Sequence, residues 1–485
     1  MPEVTNNKPH IVVFGLSVTT CPHYSLASSW SLLPLRRQLP YVRLVVPPKP
    51  STIDTLPDDA LVEIFHFYVN DWNIETNGWH TLVHVCQRWR CIVFATPRRL
   101  NLRLEYLGKR PMSEILDVWP VLPVVLNPYE HMKPYLDLWG NVAGALESEH
   151  YHRICRIQLF GIPTSHLEML TAAMQKPFPE LTSLHFWAEK NTVTSLPDSF
   201  LGRSAPLLRH LSLCNCPLPG MPKLLLSSNQ LESLCLWNIP DADLNPFASD
   251  FDPFYIRQAD PPSPLTRSVL PALTSFVFCG VHEYLEALLA RIEAPLLTTL
   301  YVTFFMALDF VLPQLYQLIG HTKSFKTCDR AFVHIRDRGI QFEISGQTNP
   351  NPELSLHIRC KESDWQLSSL AQVCSSSLPL LSPLVRLDIP NFVPSNPQLH
   401  SNPQWLELLA SFTAVKDLRL SDQVAPYVCP ALEELAEERV TDVLPALQNI
   451  FLRSLDPLES VPKRIEGFIA ARKLSGCPVA IHHWE

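Results

Sequence analysis

The chain has 485 residues, of which 46% are hydrophobic and 18% are charged, and its formal net charge is −8. That composition can fill a large core and excludes wholesale disorder, and it gives no basic footprint for nucleic acid or for an anionic membrane surface. Glycine is scarce at 14 residues, which disfavours phosphate-binding loops, whereas 46 prolines indicate many short elements that end at proline.

The 13 cysteines are scattered through apolar runs, as at Cys86 and Cys235. Because their number is odd and their spacing irregular, they indicate reduced core thiols, and we expect an intracellular location in the cytoplasm, the nucleus or both. The first residues lack the basic and apolar regions of a signal peptide, and no apolar run reaches the roughly 18 residues of a membrane span.

The first 50 residues are predicted to be an N-terminal extension, and the sequence leaves open whether they are folded. His10–Gly15 and Tyr41–Val46 are candidate strands within it. Three prolines near position 50 predict a stiff linker into the next segment.

Residues 51–100 are predicted to form a helical module. Its first helix begins near Leu56 and Pro57, because proline lacks an N–H and loses nothing in a first helical turn. Asp58 and Asp59 follow, where carboxylates complement the helix dipole. Apolar side chains then recur at helical spacing on one stripe, at Leu61, Ile64, Phe65 and Tyr68.

A polar loop from Asn70 to Gly78 separates this helix from a second one. The second helix is predicted as one continuous element that ends before Pro97. Its residues include Leu82, Val83, Val85, Cys86, Arg88, Trp89, Ile92 and Val93.

In this order and spacing, the Leu-Pro pair, the Ile-Phe pair and the Val-Cys-x-x-Trp core resemble an F-box. The resemblance implies that the module binds a Skp-family adaptor and, through it, a cullin ubiquitin ligase. The implied adaptor-binding residues are Leu56, Pro57, Leu61, Ile64, Phe65, Val85, Cys86 and Trp89. The residues alone leave a second interpretation open, namely two ordinary amphipathic core helices.

Residues 101–150 are predicted to be a linking segment, and residues 151–485 contain a repeat of the form Pro-x-Leu-x-x-Leu-x-apolar. Alternate strand residues point to one side, so this unit predicts short parallel strands with buried leucines. Helix-like segments lie between several copies. The leading apolar residue of each copy is Ile154, Leu181, Leu208, Leu231, Leu273, Leu297, Leu384, Val415 or Leu447. The helix-like segments are His166–Met174, Tyr284–Ile292, Trp405–Phe412 and Pro430–Glu438.

Most intervals between copies are near the roughly 20–29-residue period of leucine-rich repeats. The repeat resembles the divergent leucine-rich repeats of fungal-type F-box proteins, although only Asn215 and Asn238 match the asparagine of regular repeats. The resemblance implies an α/β fold: a small helical F-box module followed by an irregular leucine-rich-repeat solenoid with a curved parallel sheet. Unrelated α/β units with leucine-rich strands are the alternative.

The long interval between Leu297 and Leu384 interrupts this pattern. It is predicted to hold three further strands of the same sheet, with a hairpin between the first two. Asp241–Pro262 is predicted to be a polar loop, and Pro478–Glu485 a final strand that caps the sheet. The three strands are Ala331–Ile335, Ile340–Ile344 and Leu354–Ile358.

The sequence contains no glycine-rich nucleotide-binding loop, no nucleophile elbow and no zinc-protease motif. Cys214 and Cys216, with His210 nearby, could in principle bind a metal, but their alternation with leucines favours placement on a strand. We therefore predict no catalytic residue, no cofactor and no metal.

The sequence as a whole predicts a non-catalytic adaptor of an SCF-type (Skp–cullin–F-box) ubiquitin ligase, which binds an unknown protein substrate and neither nucleic acid nor membrane. Tyr301, Arg419 and Phe451 are the predicted substrate anchors, because aromatic and arginine side chains dominate protein interfaces. The alternatives to the adaptor function are a scaffold without a ligase role and an unrecognised hydrolase or transferase. The alternative to the substrate anchors is a sheet face that is merely solvated. The strand positions predicted to point outward are His185, Ser212, Cys235, Val277, Tyr301, Asp388, Arg419 and Phe451.

Overall fold

The structure is a computed structural model, and the chain divides into two units, Met1–Pro57 and Asp58–Glu485. In the first unit, a 3-10 turn at Ile53–Thr55 ends where the Leu56 N–H donates to the Ile53 carbonyl at 3.2 Å. The predicted strands before residue 50 and the polar loop Asp241–Pro262 lie outside the described residues. The described residues are 53–70, 78–97, 99–116, 122–128, 138–189, 196–216, 224–225, 227–239, 267–305, 312–336, 339–346, 353–359, 365–375, 381–392, 401–435, 440–453 and 465–484.

The second unit mixes helices and strands, as the sequence predicts. Its described residues contain twelve α-helices: α1 (Asp58–Asn70), α2 (Gly78–Val85), α3 (Gln87–Ala95), α4 (Met112–Leu116), α5 (Leu138–Glu147), α6 (Thr164–Ala173), α7 (His282–Leu289), α8 (Pro313–His321), α9 (Trp365–Ser375), α10 (Asn402–Ala410), α11 (Ala425–Glu434) and α12 (Glu466–Leu474).

The same ranges contain seventeen strands: β1 (Leu104–Tyr106), β2 (Val124–Leu126), β3 (Ile154–Ile162), β4 (Ser183–Ala188), β5 (His210–Cys214), β6 (Ser233–Ile239), β7 (Ser268–Val269), β8 (Ser275–Gly280), β9 (Ile292–Glu293), β10 (Thr299–Phe305), β11 (Arg330–Arg336), β12 (Gly339–Ser345), β13 (Leu354–Arg359), β14 (Arg386–Phe392), β15 (Asp417–Leu420), β16 (Asn449–Arg453) and β17 (Ala480–Trp484).

Fifteen strands form one sheet in the order β1-β2-β3-β4-β5-β6-β8-β10-β13-β12-β11-β14-β15-β16-β17, and β7 pairs with β9 separately. Neighbours are parallel except that β12 runs antiparallel to both β11 and β13. The predicted hairpin is confirmed, because Arg336 lies opposite Gly339. The sheet begins earlier than the repeat indicates, since β1 and β2 lie in the segment 101–150.

The repeated sequence unit has one recurring backbone conformation, a turn followed by a strand. In eight copies the leading apolar residue donates its N–H to the carbonyl three residues earlier, at 3.0–3.4 Å. Proline occupies the second position of five of these turns, where its fixed φ favours a β-turn. The N–H donors are those of Leu181, Leu208, Leu231, Leu273, Leu297, Leu384, Val415 and Leu447. The five prolines are Pro179, Pro206, Pro271, Pro295 and Pro445.

A second recurring contact joins seven of these turns to the neighbouring strand. Two consecutive N–H groups after the turn donate to a single carbonyl directly before that strand, at 2.7–3.1 Å. Thus Arg209 and His210 both donate to the Thr182 carbonyl, at 2.8 and 3.1 Å. The accepting carbonyls are those of Thr182, Arg209, Glu232, Thr274, Asp329, Val385 and Lys416.

The core lies on the helix-bearing side of the sheet. Along many strands, such as β11 and β16, fully or largely buried residues alternate with half-buried ones, and in β4 Leu184 and Phe186 are fully buried. Buried strand rings touch rings outside the sheet, as where Phe278 stacks on Tyr284 of α7 with centroids 6.3 Å apart. Consecutive helices pack on one another, α5 on α6, α7 on α8, and α9 to α12 in order.

Carboxylates connect some consecutive helices. The Glu286 side chain of α7 accepts from the N–H groups of Gln314 and Leu315 at the start of α8, at 2.8 and 3.0 Å. The Glu433 side chain of α11 accepts in the same way from two N–H groups at the start of α12. Each carboxylate satisfies donors that a helix start leaves unpaired.

Both predicted repeat asparagines lie in the left-handed region, with φ of 60° at Asn215, directly after β5, and 48° at Asn238, near the end of β6. The buried Asn215 amide donates to the Ala188 carbonyl at 2.7 Å, which joins two neighbouring copies. Asn238 accepts instead from the Cys279 thiol, at 3.7 Å. The two asparagines therefore adopt the same backbone shape but make different contacts.

Two predicted helices differ from the structure. The second helix of the module is broken at Cys86, which is extended (φ −155°, ψ 168°) and whose Sγ accepts from the Trp89 N–H at 3.5 Å. Predicted helix Pro430–Glu438 begins earlier, at Ala425, because Pro426 occupies its first turn while Pro430 lies inside it.

Within the described ranges, none of the helices is both long and apolar enough to cross a bilayer.

The turn of the third copy offers a stability test, because it has Asn229 where five other copies have proline. Asn229 is exposed, so Asn229→Pro should raise the free energy of unfolding by about 0.4–1 kcal/mol through a restricted unfolded chain. Urea unfolding of the wild type, Asn229→Pro and the control Asn229→Ala measures the effect. A proline variant less stable than the alanine variant would contradict the shared turn conformation.

Candidate functional site

The helical module α1–α3 is held together by a small aromatic core. Leu61, Phe65 and Val93 are completely buried. The Phe65 ring lies 4.7 Å from the Trp89 ring, centroid to centroid, and tilted by 57° to it. Trp79 of α2 is also buried, and its Nε1–H donates to the Arg103 carbonyl at 3.1 Å. The module therefore has its own core and a hydrogen bond to the chain that enters β1.

The outer face of the module carries exposed apolar side chains. Ile64, Phe67 and Val85 are 42%, 75% and 58% exposed, and Tyr68 is also exposed. Ile64, Phe67 and Tyr68 are neighbours on one side of α1 by helical spacing, and grouped exposed apolar side chains mark a candidate interface. Phe67 was missed by the sequence analysis, because it lies off the predicted stripe. We call Ile64, Phe67, Tyr68 and Val85 the apolar face of the module.

The structure places the eight implied adaptor-binding residues in different environments. Ile64 and Val85 are exposed, Cys86 and Trp89 are half-buried, and Leu61 and Phe65 are fully buried. In the first unit, Leu56 is half-buried and Pro57 exposed. Leu61 and Phe65 thus support helix packing, whereas Ile64 and Val85 can reach a partner directly.

Ion pairs fix the first turn of α1 against residues beyond α2. The Arg88 guanidinium donates to Asp58 through Nη2 at 2.6 Å and Nε at 3.1 Å. Arg99 pairs with Glu63 and, at 3.5 Å, with Asp59. These groups are solvent-exposed, so each pair contributes little stability on its own, and their main effect is orientation.

On the sheet, the half-buried strand residues form one continuous row on the face opposite the core. Strand pairing sets each member directly beside the next. All eight positions predicted to point outward belong to it, although Ser212 and Asp388 are covered by neighbours. We call this set the ladder row. Its members, in order, are Gln158, His185, Ser212, Cys235, Val277, Tyr301, Ser355, Glu343, Phe332, Asp388, Arg419, Phe451 and His482.

Two of the three predicted substrate anchors lie together at one end of the ladder row. The Arg419 guanidinium sits over the Phe451 ring, 4.8 Å from its centroid, and the Phe451 ring stacks on His482 at 4.9 Å. On the other side, Asp388 accepts from Arg386 at 2.8 and 2.9 Å and lies 3.9 Å from Arg419. Charge and aromatic surface therefore alternate here, as in many protein-binding sites.

The third anchor lies elsewhere. Tyr301 is five strand spacings from Arg419, which is roughly 24 Å. Its ring is 6.2 Å from that of Trp237. Further along the sheet, Phe160 meets Trp187 edge-on at 5.1 Å, and Trp187 is 36% exposed. Phe160, Trp187 and Trp237 were missed because they lie off the repeat position used to predict the row.

The middle of the ladder row is a polar network. Gln341 donates to Glu343 at 2.6 Å and to Ser355 at 3.2 Å, and His334 lies 3.6 Å from Glu343. Next to it, burial and the charges of Arg359 and Arg336 lower the pKa of His357 to about 4. His357 is therefore neutral near pH 7.

Cys214 and Cys216 are the cysteines that the sequence singles out for possible metal binding. Burial raises the pKa of Cys216 to about 12, so this thiol is a poor nucleophile near pH 7. Among the residues that the structure describes, no group of three or more His, Cys, Asp or Glu side chains is placed to bind a metal ion. What the described surface offers is contact area, hydrogen bonds and charge.

The chain matches no protein-family model and no curated protein.

The lowered pKa of His357 predicts a pH dependence of stability. Between about pH 6.5, the pKa of an unfolded histidine, and about pH 4, the unfolded chain binds the extra proton, so stability falls as the pH falls. His357→Gln should remove the part of this acid-induced loss of stability that comes from His357. Urea unfolding at pH 7 and pH 5 measures it, with the exposed His483→Gln as control. An unchanged pH slope in His357→Gln would contradict the prediction.

Proposed function

We propose that this protein is a non-catalytic substrate adaptor of an SCF-type ubiquitin ligase. In this proposal the helical module is an F-box that binds a Skp-family adaptor, and through it a cullin. The sheet captures a protein substrate. The observation that carries the proposal is the apolar face of the module, which combines an F-box-like sequence with an exposed surface suited to a protein partner.

The packing of the module supports this role. Leu61, Phe65 and Trp89 form a core, so the helices keep a fixed shape while Ile64, Phe67 and Val85 remain outside it. A rigid apolar surface loses little conformational entropy on binding, which favours a constant partner. The two buried motif residues then act by shaping the face that the exposed ones present.

We further infer that the sheet and its helices are an irregular leucine-rich-repeat solenoid. The recurring turn, the paired N–H contacts and a strand order that follows the chain outside β11 to β13 support this assignment. The antiparallel hairpin β11–β12 is the main irregularity. In such a solenoid the ladder row lines the concave face, where an extended surface is available to a protein substrate.

The adaptor interface can be tested by placing charge on the apolar face. Ile64→Asp combined with Phe67→Asp should weaken binding of a Skp-family adaptor by about 2 kcal/mol or more, since interfacial anchors lose that much when removed. The measurement is pull-down with the purified adaptor, followed by titration calorimetry. Leu56→Ala with Pro57→Ala is a second variant that should lose binding.

The matched control for the charged variant is Leu474→Asp, which changes an 89% exposed leucine on α12. It should bind the adaptor like the wild type. Circular dichroism of all variants checks that the helices remain folded. Equal adaptor binding by the wild type and the folded Ile64→Asp/Phe67→Asp variant would rule out the proposed interface.

The substrate face can be tested in two separate places, because Tyr301 lies far from the other two anchors. Arg419→Ser with Phe451→Ser, and Tyr301→Ser alone, should each leave adaptor binding intact. At least the double variant should lose co-purifying proteins, because it removes the cation–π pair at the end of the ladder row. Quantitative mass spectrometry of purified complexes measures the change.

Val385→Ser serves as the control, because Val385 is exposed but lies outside the ladder row. If both ladder-row variants retain the wild-type set of partners, recognition does not use this face. If partners depend on the ladder row but no Skp-family adaptor binds the module, the protein is an interaction scaffold without a ligase role.

A further inference from the structure

A cavity of about 150 Å³ lies where the helical module meets the first strands of the sheet. Its walls come from α1, α2, the segment before β1, and β1 to β3, all in the second unit. Gln158, the first member of the ladder row, is one of its lining residues. The other lining residues are Val69, Trp79, Asn101, Arg103, Glu105, Val125, Asn127 and Arg156.

The polar side of the cavity has more positive than negative charge. It holds the guanidinium groups of Arg103 and Arg156 and one carboxylate, that of Glu105. The Glu105 carboxylate already accepts from the Asn127 amide at 2.9 Å. Arg103 Nη2 donates to Asn101 at 3.2 Å. The two guanidinium groups and the single carboxylate together leave the lining with one excess positive charge.

The Arg156 side chain has a buried N–H group without a hydrogen-bond acceptor in the part of the chain that the structure describes. Its Nε is buried and has no hydrogen-bond partner among the described residues. A buried donor without an acceptor is costly, and a charged donor more so. Burial, followed by the nearby charge of Arg103, lowers the pKa of Arg156, which is the response of a cation that lacks an anionic neighbour.

The apolar lining residues come from both the helices and the sheet. Val69 and Trp79 lie on α1 and α2, and Val125 lies on β2 between Glu105 and Arg156. The Trp79 indole N–H is already used by the Arg103 carbonyl. A volume near 150 Å³ is enough for a body of about benzene size. Shape and chemistry thus call for a small ligand with one anionic end and one short apolar end.

We propose that this cavity binds a carboxylate carried on a short apolar body, with Arg156 and Arg103 holding the carboxylate and Trp79 and the two valines enclosing the body. A planar guanidinium matches a carboxylate in two parallel hydrogen bonds. The Glu105 carboxylate disfavours a dianion such as phosphate in the same space. The proposal does not rest on the adaptor role.

The test is ligand-observed NMR on the full chain. Sodium butyrate should bind saturably at millimolar concentration, whereas butyramide and inorganic phosphate should not. Arg156→Gln and Arg103→Gln should each weaken butyrate binding by about tenfold, the effect of losing one charge-assisted hydrogen bond. Arg209→Gln, which removes an exposed arginine paired with Glu232, is the matched control and should bind like the wild type.

The source of the carboxylate is distinguished with an acetylated tripeptide that ends in valine. Tighter binding of its free acid than of butyrate, with no binding of its amide, assigns the site to a peptide terminus. Binding of butyrate alone assigns it to a free small acid.

Equal binding of butyrate and butyramide, no binding of either acid, or unchanged binding in both folded arginine variants would overturn the proposal. If circular dichroism shows that an arginine variant is unfolded, the other variant and the acid–amide comparison on the wild type still decide.

Discussion

The fold depends on one backbone hydrogen-bonding contact that recurs between neighbouring repeats. Two consecutive N–H groups bond to one carbonyl directly before the neighbouring strand, just after a turn closed by the leading apolar residue. This contact fixes the register of each strand against its neighbour. Because a slip of one residue would turn every side chain to the other face, the register decides what is buried and what is displayed.

The two faces of the sheet follow from that register. Leucine and phenylalanine side chains stack on the helix-bearing side, and the ladder row occupies the other. The helices are linked in turn, in two places by a glutamate that satisfies the first N–H groups of the next helix. Each turn, strand and helix thus needs its neighbour to accept its backbone hydrogen bonds and to cover its apolar side chains. For this reason, stacked arrays of this kind are not stable as single repeats.

The junction of the module with the sheet joins the two parts of the proposed function. The Trp79 side chain reaches from α2 to the Arg103 carbonyl, directly before β1. The same tryptophan walls the cavity whose other side carries the two arginines. A ligand in that cavity would contact the helices that carry the apolar face and the strand that begins the ladder row.

The sequence by itself determined the α/β class, the repeated turn and strand, the hairpin in the long interval and eight of the thirteen members of the ladder row. These are local properties, set by proline and leucine spacing and by alternation along a strand. The helix break at Cys86 was not predictable. Cys86 is extended and caps the following helix, but the apolar residues on both sides of it keep a helical spacing, so the sequence pattern shows no interruption.

Only the tertiary structure decided which residues of α1 face inward, since Leu61, Ile64 and Phe65 share one stripe and differ only in what packs against them. It also brought Arg103 and Arg156 into one cavity with Trp79 of α2. Such contacts depend on where the helices pack against the strands, and no spacing along the sequence encodes that placement.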